Sequence, residues 1–91
     1  YESFRPTPNP FRDGMRMVDA VGGAGDRVSI RVYDVAGRLV RTLVNDFQPA
    51  GRHLATWDGV SEQGVRMKSG MYFIHARIGD DAKQVRVTIL K

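Results

Sequence analysis

Ninety-one residues hold one modest core and no second lobe, because a chain this short buries only roughly 60–65% of the surface that its unfolded form exposes. An apolar fraction of 42% and a charged fraction of 26% exclude a disordered tail, collagen and a membrane bundle; the longest apolar run, Met71-Tyr72-Phe73-Ile74, falls far short of the roughly 20 residues that span a bilayer. With no cysteine and 14 basic residues against 10 acidic, a net charge of +4, disulfide scaffolds, zinc fingers and thiol nucleophiles are out, and the scattered arginines read as one row of a solvated sheet rather than as the basic block of a nucleic-acid reader.

The chain opens without an initiator methionine, a basic n-region or an apolar leader. That is the expectation for a module from the end of a longer protein whose export signal lies elsewhere. Pro6, Pro8 and Pro10 stand at alternate positions. Each fixes φ and drives its predecessor to extended geometry. Residues 1–10 are therefore expected as a semi-rigid linker from an upstream domain, and residues 11–91 as the folded module.

Beyond the linker the hydrophobic period is two. Met15, Met17 and Val18 suggest a weak first strand, ended by Gly22-Gly23-Ala24-Gly25-Asp26. Val28, Ile30 and Val32 alternate with Arg27, Ser29, Arg31 and Tyr33, the pattern of a half-buried strand. Asp34-Val35-Ala36-Gly37 turns the chain, with Asp34 bonding back to the turn and Gly37 free to take the left-handed position. Arg38 to Val44 reads as the returning strand, but Leu39, Val40, Leu43 and Val44 fit no single face, which calls for a bulge or for burial on both sides. Val28, Val32, Val35, Leu39 and Leu43 also fall at helical spacing; the β-branched content and the breakers Asp34 and Gly37 weigh against a helix.

Pro49-Ala50-Gly51 makes the next turn. His53, Ala55 and Trp57 then share one strand face, and Asp58-Gly59 opens a long loop through Gly64 to Ser69-Gly70. Tyr72, Ile74, Ala76 and Ile78 alternate with Phe73, His75 and Arg77. Gly79 to Ala82 turns the chain into a last strand in which Val85, Val87 and Ile89 alternate with Gln84, Arg86 and Thr88. Six or seven short strands without a convincing helix indicate an all-β, immunoglobulin-like sandwich.

The chemistry available is thin. The two histidines, His53 and His75, sit among apolar strand residues, no serine has a nucleophile-elbow context, and Gly22 to Gly25 lacks the strand–loop–helix setting of a phosphate loop. No catalytic residue and no cofactor are expected. Asp58 and Glu62 are weak candidates for a calcium ion; the simpler reading is that Asp58 caps its own loop, turned by Gly59 and Gly64. Phe73 and Tyr33, opposite the core positions of their strands, are the candidates for weak stacking on a sugar ring. Trp57 is expected to anchor the space between the sheets, and Tyr72 to bury its ring while its hydroxyl bonds loop backbone.

Four stretches together resemble a known family. They are Pro8-Asn9-Pro10-Phe11, Val32-Tyr33-Asp34 through Gly37 to Leu43, Gly51 through Trp57-Asp58-Gly59 and Gly64 to Gly70-Met71-Tyr72, and Lys83 to Lys91. In order and spacing the chain is similar to the C-terminal sorting domains of proteins exported by the type IX secretion system, and to the immunoglobulin-like domain of the flagellar hook-capping protein. It departs from them in the first strand, where Asp13-Gly14-Met15-Arg16-Met17 interrupts a more regular apolar run.

The resemblance implies a non-catalytic C-terminal module of a secreted bacterial protein. It would mediate export of an upstream passenger across the outer membrane, with polysaccharide hydrolases among the passengers, and its attachment at the cell surface. The implied partners are the outer-membrane secretion or anchoring machinery and a cell-surface component. The resemblance places recognition on the terminal segment: Lys83, Val85, Arg86, Val87, Ile89, Leu90 and Lys91. A last strand offers two handles, an outward side-chain row and, at a sheet edge, unpaired backbone that a partner strand could extend. The alternative reading is a carbohydrate-binding accessory module of a secreted glycoside hydrolase.

Overall fold

Val28, Ile30 and Val32 put a β-branched side chain on the same side of the chain at every second residue, and a strand so patterned must bury that side. In the computed structural model, which describes residues 4–90, they line the inner face of a sandwich. The strands are β1 (Met15–Val21), β2 (Asp26–Tyr33), β3 (Leu39–Gln48), β4 (Gly51–Trp57), β5 (Gly70–Ile78) and β6 (Asp81–Ile89). All pairings are antiparallel. β1 and β4 form a two-stranded sheet, and β3-β2-β5-β6, in that order, a four-stranded one. No helix occurs among the described residues.

The core lies between the two sheets. Tyr72, Ile74 and Ala76 of β5 and Val87 and Ile89 of β6 continue the inner row of β2; Met15, Met17 and Val21 of β1 and Ala55 and Trp57 of β4 face them, all buried. Fully burying one such aliphatic side chain contributes roughly 1.5–3 kcal/mol. β3 explains its own mixed pattern. Its register against β2 slips twice, between Ile30 and Arg31 and between Val32 and Tyr33. Each slip turns the following residues to the other face, so Val40 is buried while Leu43 and Val44 both pack against the core from partly exposed positions.

β1 runs to Val21, up to the glycine cluster at which the sequence ends it. One region differs from the sequence expectation. Residues 4–10, expected as a linker, lie along the sandwich. Phe4 and Pro6 are buried, the Phe4 N–H donates to the Val18 carbonyl, and Thr7 and Arg16 exchange two backbone hydrogen bonds of 2.8 and 2.9 Å. This strap covers the outer edge of β1, which would otherwise present unpaired backbone.

The interruption in β1 is Asp19. It occupies an inward position between Met17 and Val21 and is 1% exposed. Neither carboxylate oxygen has a hydrogen-bond partner among the described residues. Burial pushes its carboxyl above the ordinary 3.8; the charge of His53, its cross-strand partner, and its own amide, which does not reach it with hydrogen-bond geometry, pull the other way. An acid whose folded-state pKa is raised favours folding most when protonated. That contribution is full below the unfolded value and is lost as pH rises through the folded one. Asp19→Asn, equal in shape and never ionised, is therefore expected to raise Tm at pH 7, with the gain shrinking towards pH 4. Thermal melts at the two pH values test this.

Trp57, 2% exposed, joins the layers. Its ring meets Phe11 and Tyr72 edge-on, each at 5.6 Å between centroids, and its Nε1–H donates to the Val60 carbonyl at 2.9 Å. Trp57→Ala is expected to cost about 3–5 kcal/mol, measured as a loss of denaturant midpoint at unchanged slope.

Candidate functional site

β6 is the strand on which the resemblance places recognition, and its side chains divide into two sets. Val87 and Ile89 are fully buried and Val85 packs against the core from a partly exposed position, so these three are held by the fold. Lys83, Arg86 and Leu90 are exposed. Lys91 lies outside the described residues. A partner can read the second set without opening the sandwich.

The backbone edge of β6 is already in use over its last turn of pairing. Asn9 acts as a side-chain strand: its Nδ2 donates to the Arg86 carbonyl at 3.1 Å, and its Oδ1 accepts from the Thr88 N–H at 3.1 Å. Phe11 continues the pairing in parallel with Ile89, donating to the Thr88 carbonyl at 2.9 Å and accepting from the Leu90 N–H at 2.7 Å. Strand addition at residues 86–90 would have to displace this clasp, so the edge that sequence reasoning offered to a partner strand is occupied from within the chain. Asn9→Ala removes two of the four bonds. It is expected to lower stability by about 1 kcal/mol and to speed hydrogen exchange at the Thr88 amide above that of the buried β2 amides.

The remaining motif residues build the end of the sandwich where β6 finishes. Asp34 organises the β2–β3 hairpin. Its Oδ1 accepts from the Ala36 and Arg38 amides at 3.0 and 2.9 Å, and its Oδ2 from Arg38 Nε at 3.1 Å. The Arg38 amide, more than the guanidinium, holds the Asp34 carboxyl below its ordinary value. Gly37 closes the turn at φ +83°, a conformation that side chains disfavour. Across from it, after Gly70, the Tyr72 hydroxyl donates to the Lys68 carbonyl at 2.7 Å. Burial, and then the charge of Asp34, push this phenol up.

Asp58 and Glu62 are engaged separately. Asp58 Oδ1 accepts from the Val60 amide at 3.1 Å and from Arg41 Nη1 at 3.5 Å, within the loop turned by Gly59 and Gly64. Glu62 covers the outer edge of β3: its N–H donates to the Val40 carbonyl at 3.0 Å, and its Oε2 accepts from the Thr42 N–H at 2.8 Å. No group of three or more His, Cys, Asp or Glu side chains placed to hold a metal ion occurs among the described residues. Sequence reasoning missed this edge-covering role. The signal for it, a lone glutamate in a glycine-rich loop, has no partner nearby in sequence.

Beside Leu90 an open groove of about 680 Å³ runs between Arg12, the Arg66–Ser69 segment and Ile89. Arg66 fixes one wall by donating to the Asp58 carbonyl at 2.9 Å and to the Arg12 carbonyl. On the outer face of the larger sheet, Tyr33 and Phe73 are direct cross-strand partners. Both are half-buried, and the Tyr33 ring meets His75 edge-on at 4.9 Å.

The family model for the FlgD Ig-like domain matches residues 18–82. The basal-body rod modification protein FlgD of Salmonella typhimurium is 41% identical over 49 residues, which are 54% of this chain and 21% of that protein; the FlgD of Salmonella typhi matches to the same extent. The chain thus aligns with about a fifth of the length of these relatives. Among solved structures, dimeric latent PorU from Porphyromonas gingivalis superposes with a TM-score of 0.75 at 23% identity, over 94% of this chain and 9% of that one. PorZ of the same organism, an essential bacterial surface component of its type-IX secretion system, gives 0.66 at 22% identity, over 96% and 11%. FlgD from Xanthomonas campestris gives 0.64 at 23%, over 88% and 58%. At these identities the likeness to the solved structures is one of fold, an immunoglobulin-like sandwich of six antiparallel strands.

Proposed function

The chain belongs to the FlgD Ig-like domain family, and on that footing we propose that it is a non-catalytic module that addresses an upstream passenger to outer-membrane export machinery and holds it at the cell surface. The observation that carries this reading is the clasp between the two motif-bearing ends of the chain. Pro8-Asn9-Pro10-Phe11 and the terminal strand, 77 to 79 residues apart at their bonded positions, form one hydrogen-bonded unit. That unit leaves Lys83, Arg86 and Leu90 exposed, so a receptor meets them as a preformed surface. The likeness of fold to PorU and PorZ supports the same reading.

A second reading, a structural domain of a flagellar cap, rests on the 41% identity to the Salmonella FlgD proteins over 49 residues. One experiment separates the two. Residues 1–91, fused behind a periplasmically exported reporter in a type IX-competent host, are expected to bring the reporter to the cell surface. Arg86→Glu, at an exposed position, is expected to reduce surface delivery while Tm stays unchanged. A reporter retained in the periplasm with the wild-type module defeats the sorting reading and leaves the structural one.

A further inference from the structure

The alternation that buries one face of β2, β5 and β6 sends their other residues outward, and the register decides which of these meet. Arg31 stands directly opposite His75, and Ser29 opposite Arg77; Arg77 in turn faces Ala82, and Ala76 faces Lys83. Diagonal neighbours on such a face lie about 7–8 Å apart. Together they surround a shallow depression of about 160 Å³, whose outward side chains are Ser29, Arg31, Tyr33, His75 and Arg77; Ala76 and Lys83, which also border it, face each other in the inward row.

The depression contains no carboxylate. Asp26 and Asp81, at the ends of β2 and β6, share the parity of the inward rows, and Asp46 of β3 stands opposite the inward Val28. The ion pairs resolved among the described residues, Asp34 with Arg38 and Asp58 with Arg41, lie elsewhere. Arg31 is held at 3.2 Å from the Ser29 hydroxyl, which fixes the guanidinium and leaves most of its five donors free. Two guanidiniums, Arg31 and Arg77, gathered without a counter-charge raise the energy of the free protein; an arriving anion relieves it, and planar guanidiniums suit carboxylate or phosphate oxygens.

The aromatic groups narrow the ligand. The Tyr33 and His75 rings meet edge-on at the edge of the depression, and Phe73 stands cross-strand from Tyr33 on the same outer face. Such rings beside a cationic hollow match a pyranose ring that bears one acidic group. Single-stranded nucleic acid asks instead for successive stacking rings along a groove. We infer that the outer face of the β3-β2-β5-β6 sheet is a binding site for an acidic polysaccharide, with Arg31 and Arg77 on the acidic group and Tyr33 and Phe73 against the sugar ring. This inference is independent of whether the module is sorted, because its test needs no export.

The test is a titration of the chain, isotopically labelled for NMR, with polygalacturonate, with neutral dextran and with a single-stranded DNA oligonucleotide. Polygalacturonate is expected to shift the amides of Arg31, Tyr33, His75 and Arg77, to bind more weakly as salt rises, and to exceed both other probes in affinity. Arg31→Ser combined with Arg77→Ser is expected to weaken polygalacturonate binding at least tenfold at unchanged Tm. Phe73→Ala should weaken it without changing the salt dependence. Because the Phe73 position is half-buried, Phe73→Leu serves as a second variant that keeps the packing and removes the stacking. Absence of polygalacturonate binding, shifts confined to other faces, equal affinity for dextran, or tighter binding of the oligonucleotide would each overturn the assignment.

Discussion

Two antiparallel strands alone are marginal in water, so the smaller sheet of this sandwich stands only because something ties it to the larger one. The tie is the indole of Trp57. It projects from β4, touches Tyr72 of β5 across the layer gap and Phe11 of the N-terminal strap on its other side, and hangs its N–H on the loop that follows β4. Phe11 is also the residue whose backbone pairs with β6. One aromatic contact chain therefore connects both sheets, the strap and the terminal strand. The exposed residues of β6 keep their places because this chain holds the strand that bears them.

Around that centre the sandwich treats its open edges alike. An isolated sheet edge invites pairing with foreign chains. The β1 edge is covered by residues 4–7, the last part of the β6 edge by Asn9 and Phe11, and the β3 edge by Glu62. Two of the covers are side chains that imitate backbone, an amide offering both a donor and an acceptor and a carboxylate accepting an N–H. They turn edges that could aggregate into finished ones at the cost of single polar residues. They also leave side-chain faces and exposed rows, rather than free backbone, as the surface that a partner would meet.

The sequence made the fold class legible wherever local alternation was unbroken. Val28-Ile30-Val32 and Tyr72-Ile74-Ala76 announce the two central strands without help from the rest of the chain. β1 was weaker in the sequence because Asp19 stands in an inward position that apolar periodicity expects to be greasy. β3 looked ambiguous because two register slips switch its faces, and a slip is a relation between strands that one strand's residues do not record. In the sequence the strap reads as a linker because its prolines govern local geometry, whereas the partners of Asn9 lie 77 and 79 residues away. The cationic depression is invisible for the same reason: Arg31 and Arg77 lie far apart in the chain, and only the pairing of β2 with β5 brings them together.

The clasp between Phe11 and β6 is parallel in direction. A pull on the chain before Phe11, opposed by a pull beyond residue 90, slides these two segments past each other along their length. Their four cross-links are then strained together instead of being peeled open one at a time. Geometry of that kind resists tension well, so a force applied across these two segments would load their bonds in shear.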